Sequence, residues 1–267
     1  MQLSLWQILI LAVVQGITEF LPISSDGHLV VIVPWLTGGE TPPDMNAIVV
    51  MLHMGTLASI LVFYRRQLLD LLIKDRQTIP LIIVGTIPAV LIGLPLEKYG
   101  DAILNSPLLA ALFLPITGVI VLFAARGVAS GKDYQRLTWR QALCIGLGQA
   151  AAILPGISRS GCTIATGVGM GLSRPSAATF SFLLGAPVIA GAGLLKAVKM
   201  LTGEPPQTSL PLLAIGAAVS FVVGLFALSW LVRWLERGKL HYFGWYCIVL
   251  GSVLTAWQVY RLLWGAN

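Results

Sequence analysis

Six stretches of this chain run for 18 to 23 residues without a single Asp, Glu, Lys or Arg: Ala47–Tyr64, Ile79–Leu96, Pro107–Ala125, Ala177–Leu195, Leu210–Val232 and Leu240–Tyr260. About 20 apolar residues in a helix cross the hydrocarbon of a bilayer. Inside lipid only helices and closed barrels satisfy their own backbone, so these stretches predict six spanning helices. With 57% hydrophobic and 10% charged residues among 267, against about 25% charged in soluble domains, a soluble enzyme, a coiled coil and a disordered linker protein are excluded. Seventeen Lys and Arg against eleven Asp and Glu give +6. In so apolar a chain that excess suits loops facing anionic lipid and not nucleic acid. Cys144, Cys162 and Cys247 are odd in number and set in apolar sequence, which supports neither a disulfide framework nor a zinc site; they are expected to pack. Met1 to Gln15 lacks a basic n-region and leads into polar motif residues, so it is not expected to be a cleaved signal peptide.

Two more regions are apolar but interrupted. Met1 to Thr18 leads into Glu19 and a Pro-Ile-Ser-Ser-Asp-Gly turn before Gly27 to Gly39; Gln141 to Ser158 leads into Arg159 before Ser160 to Ser173. Second arms of thirteen and fourteen residues are short for a span. Broken apolar segments with polar residues at the break are expected to be re-entrant helix pairs, whose loose backbone is tolerated at membrane depth only where it lines a protein cavity.

Charge supports this. If the six spans are crossed in order and each broken region returns to its side of entry, Arg65, Arg66, Lys74, Arg76, Arg126, Lys132, Arg136, Arg140, Arg174, Arg233, Arg237 and Lys239 share one side. Lys98, Lys196, Lys199 and Arg261 fall on the other, and Arg159 stays inside. The positive-inside rule makes the first side cytoplasmic. Both termini and the first break then approach from outside, and the second break from the cytoplasm.

Shifting the chain by 134 residues superposes Gln7 on Gln141, Gln15 on Gln149, Ile23 on Ile157, Ser24 on Ser158 and Gly27 on Gly161. An odd number of spans between the copies inverts one relative to the other, and in such architectures sites form at the repeat interface from broken helices. The expected fold is an all-α polytopic membrane helical bundle, one integral membrane domain over 1–267. Its inverted-topology repeats occupy 1–125 and 126–267, with about six full spans plus two re-entrant helix pairs.

The first break carries Gln15, Glu19, Pro22, Ser24, Ser25, Asp26, Gly27 and His28. Gln15 and Glu19, at i and i+4, share a helix face, and an ionisable group inside a membrane is costly unless paired, hydrated or cation-bound. A carboxylate beside an amide could hold a hard divalent ion through oxygen. Pro22 ends one helix, and Ser24, Ser25 and Asp26 are residue types that cap the next, leaving a helix N-terminus open to an anion. A neutral imidazole at His28 could act there as base or nucleophile. His53, within a span, and His241, at a span edge, lack such company and are expected to be packing or interfacial residues.

The second break reads Pro155-Gly156-Ile157-Ser158-Arg159-Ser160-Gly161-Cys162-Thr163. Arginine's planar fork of donors suits phosphate, yet its charge opposes the dipole of the helix it begins, so helix stability does not explain Arg159. Ser158, Ser160 and Thr163 add hydroxyls, and Gly156 and Gly161 let a ligand approach the backbone. Two helix N-termini, one Arg, several hydroxyls and carboxylates fit a phosphate or diphosphate with a cation.

At these two breaks the sequence resembles the undecaprenyl-diphosphate phosphatase family of bacterial inner membranes, the bacitracin-resistance type. The first motif of that family stands here as Gln15 to His28 and the second as Pro155 to Thr163, and Phe180-Ser181-Phe182-Leu183-Leu184 is similar too. The resemblance covers essentially the whole chain. It implies removal of the terminal phosphate from a C55 polyprenyl diphosphate, which recycles the lipid carrier of cell-wall synthesis and gives bacitracin resistance. It also implies a divalent cation (Mg2+ or Ca2+), a site facing the periplasm or cell exterior, and membrane lipid as surroundings; a homodimer stays open. By the match, Glu19 and Gln15 are the metal-associated pair, Ser25 and His28 the catalytic serine and histidine, and Arg159 with Ser158 and Ser160 the diphosphate loop. Ser24, Gly27, Gly156, Gly161 and Thr163 complete the expected substrate contacts. Asp26 stands where the family usually has Ser or Thr, and is expected to supply a second metal oxygen. The rival expectation is a transporter or flippase of polyprenyl phosphate or another anion, which inverted repeats with broken helices would equally suit.

Overall fold

The computed structural model describes residues 3–39, 42, 44–127, 131–202 and 208–264. In chain order its helices are α1 (Leu5–Thr18), α2 (Ser25–Leu36), α3 (Met45–Phe63), α4 (Arg65–Ile73), α5 (Thr78–Tyr99), α6 (Asp101–Leu104), α7 (Pro107–Ala125), α8 (Trp139–Ala151), α9 (Arg159–Gly169), α10 (Arg174–Thr202), α11 (Leu210–Glu236) and α12 (His241–Trp264). A single 3-10 turn, Tyr134–Arg136, precedes α8. No named strand occurs among the described residues. Six helices, α3, α5, α7, α10, α11 and α12, are long and apolar enough to cross a membrane, and they are the six stretches free of charge in the sequence. The chain is a multi-pass membrane protein, and its described residues fold into helices joined by short connections.

The two interrupted regions form helix pairs. At 1.5 Å per residue the 14 residues of α1 reach only about 21 Å, short of the ~30 Å hydrocarbon core. Gln7, in the first turn of α1, donates its amide to the carbonyl of Leu36 at the end of α2 (2.7 Å). The start of one arm therefore lies beside the end of the other, and the chain turns back at the break. The second pair repeats this bond: Gln141 in α8 donates to the carbonyl of Met170, just past α9 (3.1 Å). Both glutamines also close capping boxes, with Ser4 and with Thr138.

The 134-residue offset extends beyond the motifs. Added to the bounds of α1, α2, α3, α5 and α7, it gives 139–152, 159–170, 179–197, 212–233 and 241–259, which fall on α8, α9, α10, α11 and α12. Packing follows the same correspondence: α1 lies on α11, and α8 lies on α5. Close approach at these crossings depends on small residues, as in membrane interfaces generally. A Cβ on Gly16 of α1 would strike the carbonyl of Ser220 and the side chain of Val223 in α11, and one on Gly146 of α8 would strike the backbone of Gly85 in α5. The counterparts α3 and α10 are the most enclosed spans, with half or more of their apolar windows buried, whereas α12 presents most of its surface outward. The core between them is aromatic and aliphatic. Phe20, beside the first break, meets Phe182 of α10 edge to face at 5.7 Å between centroids, and Phe182 stacks on Tyr64.

Candidate functional site

The two breaks touch. Ser24 caps α2, accepting the backbone N–H of Gly27, and does so at a φ of 68°, a sparsely populated region for a residue with a side chain. Gly27 lies so close to Gly156 that a Cβ on it would come within 2.9 Å of the Gly156 Cα. Gly156 has φ +90°, and a Cβ there would run into the carbonyl of Ala110; only glycine serves at that position. The second break is fastened to α7 by Thr117, whose hydroxyl donates to the carbonyl of Gly156 (2.8 Å) and accepts the N–H of Ser158 (2.9 Å). Ser160 reaches across to the carbonyl of Leu21 (3.2 Å). Two helix N-termini, those of α2 and α9, are thereby joined inside the bundle.

Glu19 is the hub. It is 8% exposed, and its two oxygens are bound from different halves of the chain. Arg159 Nη2 donates to Oε1 at 2.6 Å; Ser25 Oγ donates to Oε2 at 2.7 Å and Gln15 Nε2 to the same oxygen at 3.1 Å. A charge this deep survives only when paired and hydrogen-bonded. Room for the guanidinium comes from Gly185 of α10, where any Cβ would collide with Nη1 of Arg159.

His28 is buried, and both of its ring nitrogens are engaged by groups other than Ser25. Its Nδ1 lies 2.7 Å from the carbonyl of Ser24, which can only accept, so Nδ1 carries the proton and Nε2 is the acceptor. That acceptor is bound by the hydroxyl of Tyr246 in α12 at 2.9 Å, with the two rings parallel to within 4°. The group in contact with Ser25 is Glu19. His53, expected to be a packing residue, instead enters the site from α3: Nδ1 is fixed on the carbonyl of Val49, and Nε2 lies 3.6 Å from Glu19 and 3.8 Å from Asp26. Its sequence neighbours are apolar, so only the folding of α3 against α1 reveals it. Tyr246 was equally unmarked, one of many aromatic residues in an apolar span.

Asp26 is exposed, with 59% of its side chain accessible. Ser158 caps α9 through the N–H of Gly161 and lies 3.2 Å from Ser160. Thr163 is fully buried and points inward, donating to the carbonyl of Arg159 and meeting Ser181 at 2.5 Å. Gln15 and Glu19 offer hard oxygens to a divalent ion, and the amide oxygen of Gln15 is buried without a partner. No cluster of three His, Cys, Asp or Glu forms a metal cage among the described residues. Mg2+ is commonly held by one or two carboxylates with water and substrate phosphate, which needs no such cage. The donor chemistry fits.

Comparison with known proteins agrees with this architecture. The family description "Bacitracin resistance protein BacA" matches residues 8–253. An undecaprenyl-diphosphatase of Rhodopirellula baltica is 48% identical over 253 residues, covering 94% of this chain and 97% of its own. Those of Desulforudis audaxviator and Thermomicrobium roseum are 39% and 37% identical, covering 95% and 94% of this chain and 97% of each relative. With the match running from the first re-entrant pair into the last span, the chain belongs to the BacA bacitracin resistance family.

Proposed function

We propose that this protein is a membrane phosphatase that hydrolyses undecaprenyl diphosphate to undecaprenyl phosphate and phosphate, returning the lipid carrier to cell-wall synthesis. The observation that carries the reading is the joint grip on Glu19. A hydroxyl from one helix N-terminus and a guanidinium from another meet on one buried carboxylate, at 2.7 and 2.6 Å.

The chemistry follows from that arrangement. The diphosphate is drawn to the N-termini of α2 and α9, where backbone N–H groups and Arg159 stabilise the charge that spreads over a transferring phosphoryl group. As substrate oxygens engage Arg159, Glu19 is released from its counter-ion and becomes the base for Ser25. Ser25 Oγ attacks the terminal phosphorus, its proton passes to Glu19, and the bond to the bridging oxygen breaks, so that the lipid leaves as a monophosphate. Glu19 passes that proton to the departing lipid monophosphate; it then takes a proton from the attacking water and returns it to Ser25 Oγ as the phosphoserine bond breaks, freeing inorganic phosphate. His28 can act only when Tyr246 yields its Nε2, so in this geometry it orders the first turn of α2. A divalent cation held by Glu19, Gln15 and Asp26 would supply further neutralisation of phosphate charge. The asymmetry of basic loops supports a site toward the exterior of a bacterial inner membrane with both termini outside. The helix correspondence supports two inverted repeats, over 1–125 and 126–267, with the site at their junction.

The test is release of inorganic phosphate from a C55 polyprenyl diphosphate by purified protein in detergent, with and without EDTA. Release should stop with EDTA and with Glu19→Gln. A folded sample that releases none, across several polyprenyl diphosphates and divalent metals, would overturn the reading.

A further inference from the structure

His28 and His53 stand at the same site, and their rings are anchored alike. Each sets Nδ1 on the carbonyl four residues back, His28 on Ser24 at 2.7 Å and His53 on Val49 at 2.8 Å. A carbonyl only accepts, so in each neutral ring Nδ1 carries the proton and Nε2 keeps a lone pair. For His28 that lone pair is taken by the hydroxyl of Tyr246. For His53 no donor takes it among the described residues. The groups facing its Nε2 are Oε2 of Glu19 at 3.6 Å and Oδ1 of Asp26 at 3.8 Å, and a carboxylate is an acceptor as well.

Neither contact is short enough for a hydrogen bond. Both separations suit donor atoms that share a cation: with bonds of about 2.1 Å, two ligands of one ion stand about 3–4 Å apart. A further atom beside the same carboxylate points the same way. Gln15 is fully buried and gives its amide nitrogen to Oε2 of Glu19 at 3.1 Å, while its amide oxygen has no partner. In native proteins a buried oxygen in that condition is matched to a water or an ion. The place is open to ions from the mouth of the site, since the side chains of Asp26 and His53 are 59% and 21% accessible.

The nitrogen decides which ion is preferred. Ca2+ and Mg2+ take oxygen ligands. Imidazole draws the first-row transition dications, and among these Mn2+ is also at home with carboxylate oxygen. A metal-binding histidine usually donates its other ring N–H to a carbonyl or carboxylate, which fixes the tautomer and aims the lone pair. The bond from His53 to Val49 does this.

We propose that Nε2 of His53 is a ligand of the divalent cation, beside oxygens from Glu19 and Gln15, and that the site for this reason prefers Mn2+ to Ca2+. The presence of a cation rests on the phosphatase reading; the nitrogen ligand and the preference it brings go beyond that reading.

The experiment uses the full chain in detergent, stripped with EDTA, with Mn2+ and Ca2+ as the probes. Wild type is compared with His53→Leu and His53→Gln. Dissociation constants for both ions are measured by calorimetry, nitrogen coupling to bound Mn2+ by pulsed paramagnetic resonance, and melting temperature with and without ion. Wild type should bind Mn2+ more tightly than Ca2+ and show the coupling of an imidazole nitrogen, and both variants should lose that coupling. Mn2+ binding should weaken by at least about tenfold in both, since even losing a residue that only steadies a ligand costs that much. His53→Gln, which offers an oxygen in place of the nitrogen, should keep its Ca2+ binding. Wild type that binds Mn2+ without nitrogen coupling, or binds no Mn2+, would overturn the proposal whatever the variants do. So would unchanged Mn2+ affinity in both variants, the result expected if His53 is only a counter-ion to the two carboxylates. Phosphate release from the C55 diphosphate, assayed on the same wild-type sample, separates the two readings. Nitrogen coupling without release would sink the phosphatase and leave His53 a ligand, and release without coupling would do the reverse.

Discussion

Ser25 gives its hydroxyl hydrogen to Glu19 at 2.7 Å, six residues back in sequence and across the first break. The same carboxylate holds Arg159, 140 residues further on, at 2.6 Å. A turn between two short helices and a second turn from the other half of the chain are thus joined through one side chain. The pair ties the breaks together at rest, and under the proposed mechanism it loosens as a diphosphate enters.

Separating those roles calls for variants of both partners. Glu19→Gln leaves the Arg159 charge buried and unpaired, which should lower stability by about 3–5 kcal/mol and abolish phosphate release. Adding Arg159→Met removes the stranded charge, so the double variant should recover most of the melting temperature and none of the activity. Recovery of activity in the double variant would show that neither group takes part in the chemistry.

Gly185 tests the placement of Arg159 without touching its charge. A Cβ at Gly185 would meet the guanidinium directly, while α10 continues undisturbed because alanine favours helix more than glycine does. Gly185→Ala should keep the fold and lower turnover by about 100-fold, the scale of a displacement near 1 Å at a reacting centre. Near-normal turnover would mean that Arg159 has another position from which to work.

How much of this was legible beforehand differs by residue. The six spans could be read from runs without charge because the bilayer imposes length and polarity on every spanning helix. Glu19 and Arg159 stood out because a charge inside such runs is costly and needs a reason. His53 could not be read in the same way. Its neighbours, Leu52 and Met54, are ordinary span residues, and its approach to Glu19 depends on how α3 packs against α1. The direction in which the His28 ring turns was not legible for a related reason. His28 is three residues from Ser25 in sequence, but which way its ring turns was decided by the Ser24 carbonyl and by Tyr246, 218 residues beyond His28.

Asp26 adds a carboxylate at the mouth of the site, with His53 Nε2 between it and Glu19 at 3.8 and 3.6 Å. Asp26→Ser should raise the Mg2+ concentration needed for half-maximal phosphate release and leave melting unaltered, since the side chain is mostly exposed. Titration of activity with Mg2+ after EDTA treatment checks this. A variant with the same rate and the same magnesium dependence would remove Asp26 from the cation's surroundings.

Tyr246 is 43% exposed, so Tyr246→Phe should leave melting nearly unchanged while freeing Nε2 of His28. With its hydroxyl gone, the His28 ring is fixed only through Nδ1 and the carbonyl of Ser24. Because that carbonyl belongs to the residue capping α2 at a strained φ, rotation of the ring disturbs the turn that presents Ser25. Activity should then fall by about tenfold, through kcat more than KM, as expected of a group that positions others. If Tyr246 acts through His28, combining Tyr246→Phe with His28→Ala should cost no more than His28→Ala alone, the non-additivity expected of residues in one hydrogen-bonded chain. Two losses that multiply would show that Tyr246 and His28 serve the site independently.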